Sequence, residues 1–250
     1  GIKNLFKANY EKKLNKYDSI VTIANEMQEQ LEEFYPKLEK EKIKMIYNPF
    51  NFNEIIKKSN MIDNLTKDEK LLIKDNYICT VTRVDEHQKD LTTLILAYEK
   101  QYLNNKIKDK LYIIGDGPSR DNLTELVKDK KLEKQILFLG KKTNPFIWMK
   151  KANVFILSSK FEGFGLVLVE AMVVNTFVIS SNCKTGPTEI LDNEKCGDLF
   201  AVGSVNELSD KLQYALNNDK YRDNKIANAT QNLERFNFNE SINNLTRLLK

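Results

Sequence analysis

The sequence has one histidine, His87, and three cysteines, Cys79, Cys183 and Cys196. A histidine acting with a serine or cysteine nucleophile needs partners beside it. None is evident for His87, which reads as a loop residue rather than a base. The cysteines cannot all pair, and neither they nor any histidine–cysteine–aspartate cluster has metal-ligand spacing. A metal centre, a cofactor and a disulfide framework are therefore not expected, and a reducing compartment is. Cys79 sits inside an apolar run and reads as core packing. No apolar run approaches the ~18 residues of a membrane-spanning helix, and the opening residues do not have the pattern of a signal peptide. An excess of one charge is also missing: 39 basic residues face 35 acidic ones, for a net +4. This argues against nucleic acid and suggests at most an anionic ligand or a membrane surface. Lysine runs such as 128–131 read as solvated helix ends. Gly1 stands where an initiator methionine would, which suggests a cut or engineered start.

What is present is a soluble, globular composition: 250 residues, 41% hydrophobic and 30% charged, enough for one large or two modest cores. Residues 5–17 read as a charged helix and 19–23 as a strand. Asn25 reads as the cap of a helix that Pro36 stops, and 43–47 as a strand closed by Asn48 and Pro49. One or two strands do not make a stable sheet alone. Residues 51–76 are polar with helical pieces. From residue 77 the alternation is regular, with strands over 77–81, 111–114, 136–139, 154–157, 177–179 and 199–201 and helical stripes between them. This predicts an α/β fold with a doubly wound, parallel, Rossmann-like sheet. Ser204 and Glu207 have capping-box spacing before a helix, and further helices follow. The expected division is 1–48, then 49–235, then a terminal helix over 236–250.

The chain is organised around residues 155–189. A strand is followed by Glu162-Gly163-Phe164-Gly165, then by a helix from Leu166 to about residue 174 that carries Glu170. Glycines let backbone N–H groups approach a ligand, and a helix start favours an anion. Glu170 lies roughly 6 Å further along the helix axis, and its side chain leans back towards the start. Carboxylates accept from vicinal sugar hydroxyls. A molecule with hydroxyls at both ends and a diphosphate between them, a nucleotide sugar, fits this arrangement.

Glu162 to Gly165 with Glu170-Ala171-Met172, followed by Thr185-Gly186-Pro187-Thr188-Glu189-Ile190-Leu191, resembles the E-x7-E motif and the Gly-Pro-x-Glu-Ile-Leu segment of retaining glycosyltransferases of family 4. That resemblance covers about residues 18–250. It implies the carboxy-terminal half of a GT-B enzyme with a remnant of the amino-terminal, acceptor-side domain, most of which would precede Gly1. It implies that Glu162 contacts the transferred sugar and that Gly163, Phe164, Gly165 and Leu166 offer backbone N–H groups to the sugar and diphosphate. Glu170 would hold the ribose. The loop from Thr82 to Asp90 resembles the family's Gly-Arg…Lys-Gly loop, so Arg83 and Lys89 would bind the leaving diphosphate. Thr82 replaces a usual glycine, and the gap from Arg83 to Lys89 is one residue longer than usual. A surface salt bridge is the alternative reading of these cations. The Gly115-Asp116-Gly117 turn resembles one beside the nucleotide pocket. Residues 138–142, with Lys141 and Lys142, resemble the strand end whose backbone reads the base.

The resemblance implies metal-independent, retaining transfer from a nucleotide-sugar donor, expected to be a UDP-sugar, to a glycan or lipid-linked acceptor such as a lipopolysaccharide or capsule intermediate. The expected setting is cytoplasmic, with peripheral association at the inner face of the membrane. A second reading is a module that binds the donor nucleotide without turnover, because GT-B catalysis uses a cleft between two domains. A third, a sugar-nucleotide epimerase or a phosphorylase, finds no motif.

Overall fold

The computed structural model describes residues 2–249, so Gly1 and Lys250, the last residue of the expected terminal helix, lie outside the described residues. The elements in chain order are α1 (Ile2–Leu14), β1 (Ile20–Thr22), α2 (Asn25–Phe34), β2 (Ile43–Met45), α3 (Phe52–Ser59), α4 (Lys67–Leu72), β3 (Tyr77–Val81), α5 (Glu86–Lys89), α6 (Leu91–Leu103), β4 (Lys110–Ile114), α7 (Arg120–Asp129), β5 (Ile136–Gly140), α8 (Phe146–Lys151), β6 (Val154–Leu157), α9 (Leu166–Val173), β7 (Val178–Ser181), α10 (Pro187–Ile190), β8 (Asp198–Phe200), α11 (Val205–Leu216), α12 (Asp219–Asn232) and α13 (Phe238–Leu248). Two compact units result. Among the described residues, one comprises 2–51 together with 235–249, and the other comprises 52–234.

In the first unit β1 and β2 pair in parallel, with Ile20 opposite Ile43. The cap expected at Asn25 is displaced by one position. Fully buried, extended Ala24 occupies it, makes no side-chain cap bond, and leaves Asn25 as the first helical residue. The terminal helix α13 groups with this unit rather than standing apart. Its approach is held by Phe236, whose ring meets those of Tyr47 at 4.8 Å and Phe50 at 6.4 Å.

The second unit is a six-stranded parallel sheet in the order β5-β4-β3-β6-β7-β8. Strands β3 and β6 are buried nearly throughout because helices cover both faces, which is why they read as unbroken apolar runs. Leu91, Leu94, Ile95 and Tyr98 of α6 and Leu208 and Leu212 of α11 pack into one core with Ile78, Ile113 and Ile156 of the sheet. At Ser204 the expected capping box forms by half. Ser204 accepts the Glu207 N–H at 3.4 Å, but the Glu207 carboxylate turns back to the Ala201 N–H at 2.8 Å. A complete box forms instead at Thr66 and Glu69, which opens α4 in the stretch read only as polar.

The strand order sets the place for chemistry. The chain moves outwards from β3 through β4 to β5, returns to β6 beside β3, and moves outwards again. The loops after β3 and β6 therefore leave adjacent strands in divergent directions, and an open α/β sheet forms its ligand crevice at such a switch point.

Candidate functional site

The β3 loop is shaped by its caps. Asp85 accepts the His87 N–H at 3.2 Å and starts α5, whose last residue is Lys89. Asp90 then takes a left-handed conformation, φ 47°, so that α6 can begin at once. The β6 loop is tied to this segment along its length. Lys160 N–H donates to the Gln88 carbonyl at 2.7 Å, the Gln88 side chain donates to Phe161 O at 3.2 Å, and Ser158 Oγ donates to the Lys89 carbonyl at 2.8 Å.

Lys89 and Glu162 meet at the centre. The ammonium lies 2.6 Å from Glu162 Oε1, and the two side chains are only 14% and 10% exposed. Ser159, fully buried, donates its hydroxyl to the same oxygen at 2.6 Å. The structure thus brings together two residues that the sequence placed in separate motifs. Arg83 of the same loop is 66% exposed and has only a loose contact, 3.7 Å, with Asp85. Its guanidinium is open to a ligand.

The glycine loop leads into α9. Gly165 is left-handed, φ 96°, at the cap position, while Gly163 is exposed with no atom near its missing Cβ. Phe164 is buried between them and Leu166 is exposed. Glu170 follows one turn into α9. Burial raises its carboxyl above the usual carboxylate range, and it has no hydrogen bond or ion pair with another described residue. Such a group accepts readily from ligand hydroxyls.

Gly115 and Gly117 have a structural role. A Cβ at Gly115 would fall 1.8 Å from the Thr82 carbonyl oxygen, and one at Gly117 would fall 2.3 Å from that of Val84. The two glycines let the β4 turn lie flat on the loop that carries Arg83. Lys141 is exposed. The side chain of Lys142 pairs with Glu69 at 2.8 Å and lies over the Trp148 ring, which leaves its backbone, the part expected to read the base, uninvolved. That pairing, followed by the Thr66 backbone bond, keeps the Glu69 carboxyl below its ordinary value.

Sequence reasoning passed over Ser158 and Ser159 as plain polar residues, and their only signal was their place directly after a buried strand. It also passed over Cys183, which is buried near Glu162 and Lys89 with its thiol pushed up to about 11, chiefly by burial. Among the described residues, no three His, Cys, Asp or Glu side chains gather as a metal ion would require. A groove of about 310 Å³ lined by Asp192, Lys195, Cys196, Asn228, Gln231 and Asn232 shares none of the residues of the switch-point site.

Residues 62–232 match the family described as "Glycosyl transferases group 1". The chain belongs to this family. It is 32% identical over 200 residues to an uncharacterized glycosyltransferase of Methanocaldococcus jannaschii, covering 80% of this chain and 46% of that protein. It is also 32% identical over 181 residues to the N-acetylgalactosamine-N,N'-diacetylbacillosaminyl-diphospho-undecaprenol 4-alpha-N-acetylgalactosaminyltransferase of Campylobacter jejuni, covering 72% and 46%. The chain thus spans about half the length of these curated relatives. Two solved structures superpose on nearly all of it. A glycosyltransferase from Rickettsia africae has a TM-score of 0.83 at 21% identity, over 99% of this chain and 68% of that one. Anabaena HepE in complex with UDP has a TM-score of 0.80 at 19% identity, over 94% and 64%. These likenesses show the fold, which is of GT-B type. No helix among the described residues is long and apolar enough to cross a membrane.

Proposed function

We propose that this group 1 chain carries the donor site of a retaining, family 4-type glycosyltransferase. The enzyme takes a hexosyl group from a nucleotide sugar, a UDP-sugar, and passes it to a glycan or lipid-linked acceptor in surface polysaccharide or glycoconjugate synthesis. The observation that carries this reading is the joint of Lys89, Glu162 and Ser159 at the switch point, with Arg83 open to one side and Glu170 unpaired in α9. Support also comes from HepE, whose structures hold UDP and UDP-glucose, and from the Campylobacter relative, whose name describes a diphospho-undecaprenol acceptor.

In this reading the ribose hydroxyls donate to Glu170, the amides of residues 163–166 face the diphosphate and sugar, and Glu162 accepts from a sugar hydroxyl. Breaking the bond between the anomeric carbon and the phosphate oxygen leaves the electron pair on the diphosphate. Arg83 and Lys89 stabilise that developing charge, and neither needs a metal to do so. The acceptor hydroxyl bonds to the anomeric carbon on the face the diphosphate leaves. Its proton passes to the leaving phosphate oxygen, so no dedicated protein base is required. The protein would work in the cytoplasm, with peripheral contact at the membrane where its acceptor resides.

The chain's span of about half its relatives favours a second reading for the chain on its own, donor-nucleotide binding without turnover. Calorimetry with UDP, alongside a screen of nucleotide sugars for product with the full-length protein, tests both. UDP binding with transfer supports the first reading, UDP binding without transfer supports the second, and no binding of UDP removes both.

A further inference from the structure

We propose that the Lys89–Glu162 pair makes this site select a nucleotide that carries a sugar over the bare nucleoside diphosphate, and that Ser159 is the positioning residue of this device. The inference rests on the donor role proposed above and goes beyond it.

Glu162 Oε1 receives two donors, the Lys89 ammonium and the Ser159 hydroxyl, each at 2.6 Å. No other described residue makes a hydrogen bond or ion pair with this carboxylate; the nearby Lys160 is directed to Asp90 at 3.8 Å and to the Glu86 carbonyl. Both charged side chains are largely withdrawn from water, so separating them without replacement is costly. A diphosphate that draws Lys89 away leaves Glu162 with Ser159 alone. A sugar hydroxyl restores the lost donor. A ligand with both parts therefore exchanges one pairing for two, whereas a free diphosphate breaks the pair and returns nothing to Glu162. After transfer the same imbalance acts on the product: Lys89 returns to Glu162 and the nucleoside diphosphate is released.

The surrounding bonds suit a motion confined to the Lys89 side chain. Ser158 Oγ holds the Lys89 carbonyl at 2.8 Å, and Ser181 Oγ holds the Ser159 carbonyl at 2.5 Å. The backbone of both holders is thus fixed while the ammonium changes partner.

Calorimetric titration of this chain with UDP tests the device. Glu162→Gln removes the competitor for Lys89 and is expected to tighten UDP binding about tenfold, the scale of a partly buried charge pair. Lys89→Met weakens UDP binding, and adding Glu162→Gln to it gives no recovery. Ser159→Ala leaves Lys89 as the sole partner of Glu162 and weakens UDP binding several-fold, and Ser159→Thr, which keeps the hydroxyl, restores it. The opposite signs of Glu162→Gln and Ser159→Ala separate the device from a merely structural role, which would lower both. Should Glu162→Gln fail to fold, the Ser159→Ala and Ser159→Thr pair decides alone. UDP binding that is unchanged or weaker in Glu162→Gln, or unchanged in Ser159→Ala, overturns the partner exchange and leaves the donor site standing. A wild-type chain that does not bind UDP overturns both.

Discussion

The carbonyl oxygen of Phe164 occupies the space that a side chain at Gly186 would need: a Cβ there would lie 1.8 Å from it. Gly186 also has φ 105°, a conformation that side chains rarely adopt. The Gly186-Pro187 segment is thereby pressed onto the loop that carries Glu162. Gly186→Ala should cost about 3 kcal/mol or more of unfolding free energy, from strain plus displacement of a backbone carbonyl. Gly163→Ala, in open space, should fall within about 0.5 kcal/mol of wild type. Urea denaturation of the two variants checks the contrast, and equal losses would show that the 164–186 contact does not govern stability.

Glu170 links stability to pH. Burial raises its folded-state pKa above the ordinary 4.5. Its stabilising contribution is therefore complete below that ordinary value and is lost as pH rises through the raised one. At neutral pH the wild-type chain bears the cost of a buried charge, so Glu170→Gln should raise Tm there and confer no gain below the ordinary range. Thermal melts across pH 4–8 read this directly, and a Tm gain independent of pH would contradict it.

If hydroxyls donate to the charged form of Glu170, nucleotide binding and its ionisation favour each other. UDP affinity of the wild type should then fall as pH drops through the raised pKa, and in Glu170→Gln that fall should disappear while affinity at neutral pH is weaker by about 1–3 kcal/mol. Calorimetry at several pH values checks it. Identical pH profiles for the two proteins would remove Glu170 from the ribose site.

Glu69 runs in the other direction. Lys142 holds its carboxyl below the ordinary 4.5, so the contribution of this pair is present above that value and lost as pH falls through the depressed one. Because about a fifth of each side chain remains exposed, a double-mutant cycle with Lys142→Met and Glu69→Gln should give a coupling of only about 1 kcal/mol. It should shrink in acid, and a coupling that persists below pH 3 would argue against the pairing.

Arg83 touches the rest of the chain only loosely. Arg83→Ala should leave Tm within about a degree of wild type, since exposed substitutions rarely exceed ±0.5 kcal/mol. In the full-length enzyme it should lower kcat on the order of a hundredfold, with a much smaller change in UDP affinity, because its charge acts chiefly as the bond breaks. Equal losses in kcat and binding would make it a ground-state contact.

Much of this was legible in the sequence because parallel strands covered on both faces are continuous apolar runs, and residues 77–81 and 154–157 match β3 and β6 without adjustment. The glycine loop and α9 were legible for a similar reason, since strand, glycines and helix follow one another directly. The Lys89–Glu162 contact was not, because it depends on β6 inserting beside β3 after β4 and β5 have gone the other way. Nor was the commitment of Lys142 to Glu69, which a Thr66 capping box presents from a distant stretch. Side-chain partners of this kind arise from topology, and local pattern does not encode them.

The two halves of the central ion pair are 73 residues apart in sequence. They meet only when β6 has inserted beside β3, so the pair is a long-range contact that waits on the sheet and not on local structure. Protection of the amides around Lys89 and Glu162 from hydrogen exchange would therefore serve as a reporter that the whole six-stranded unit has closed.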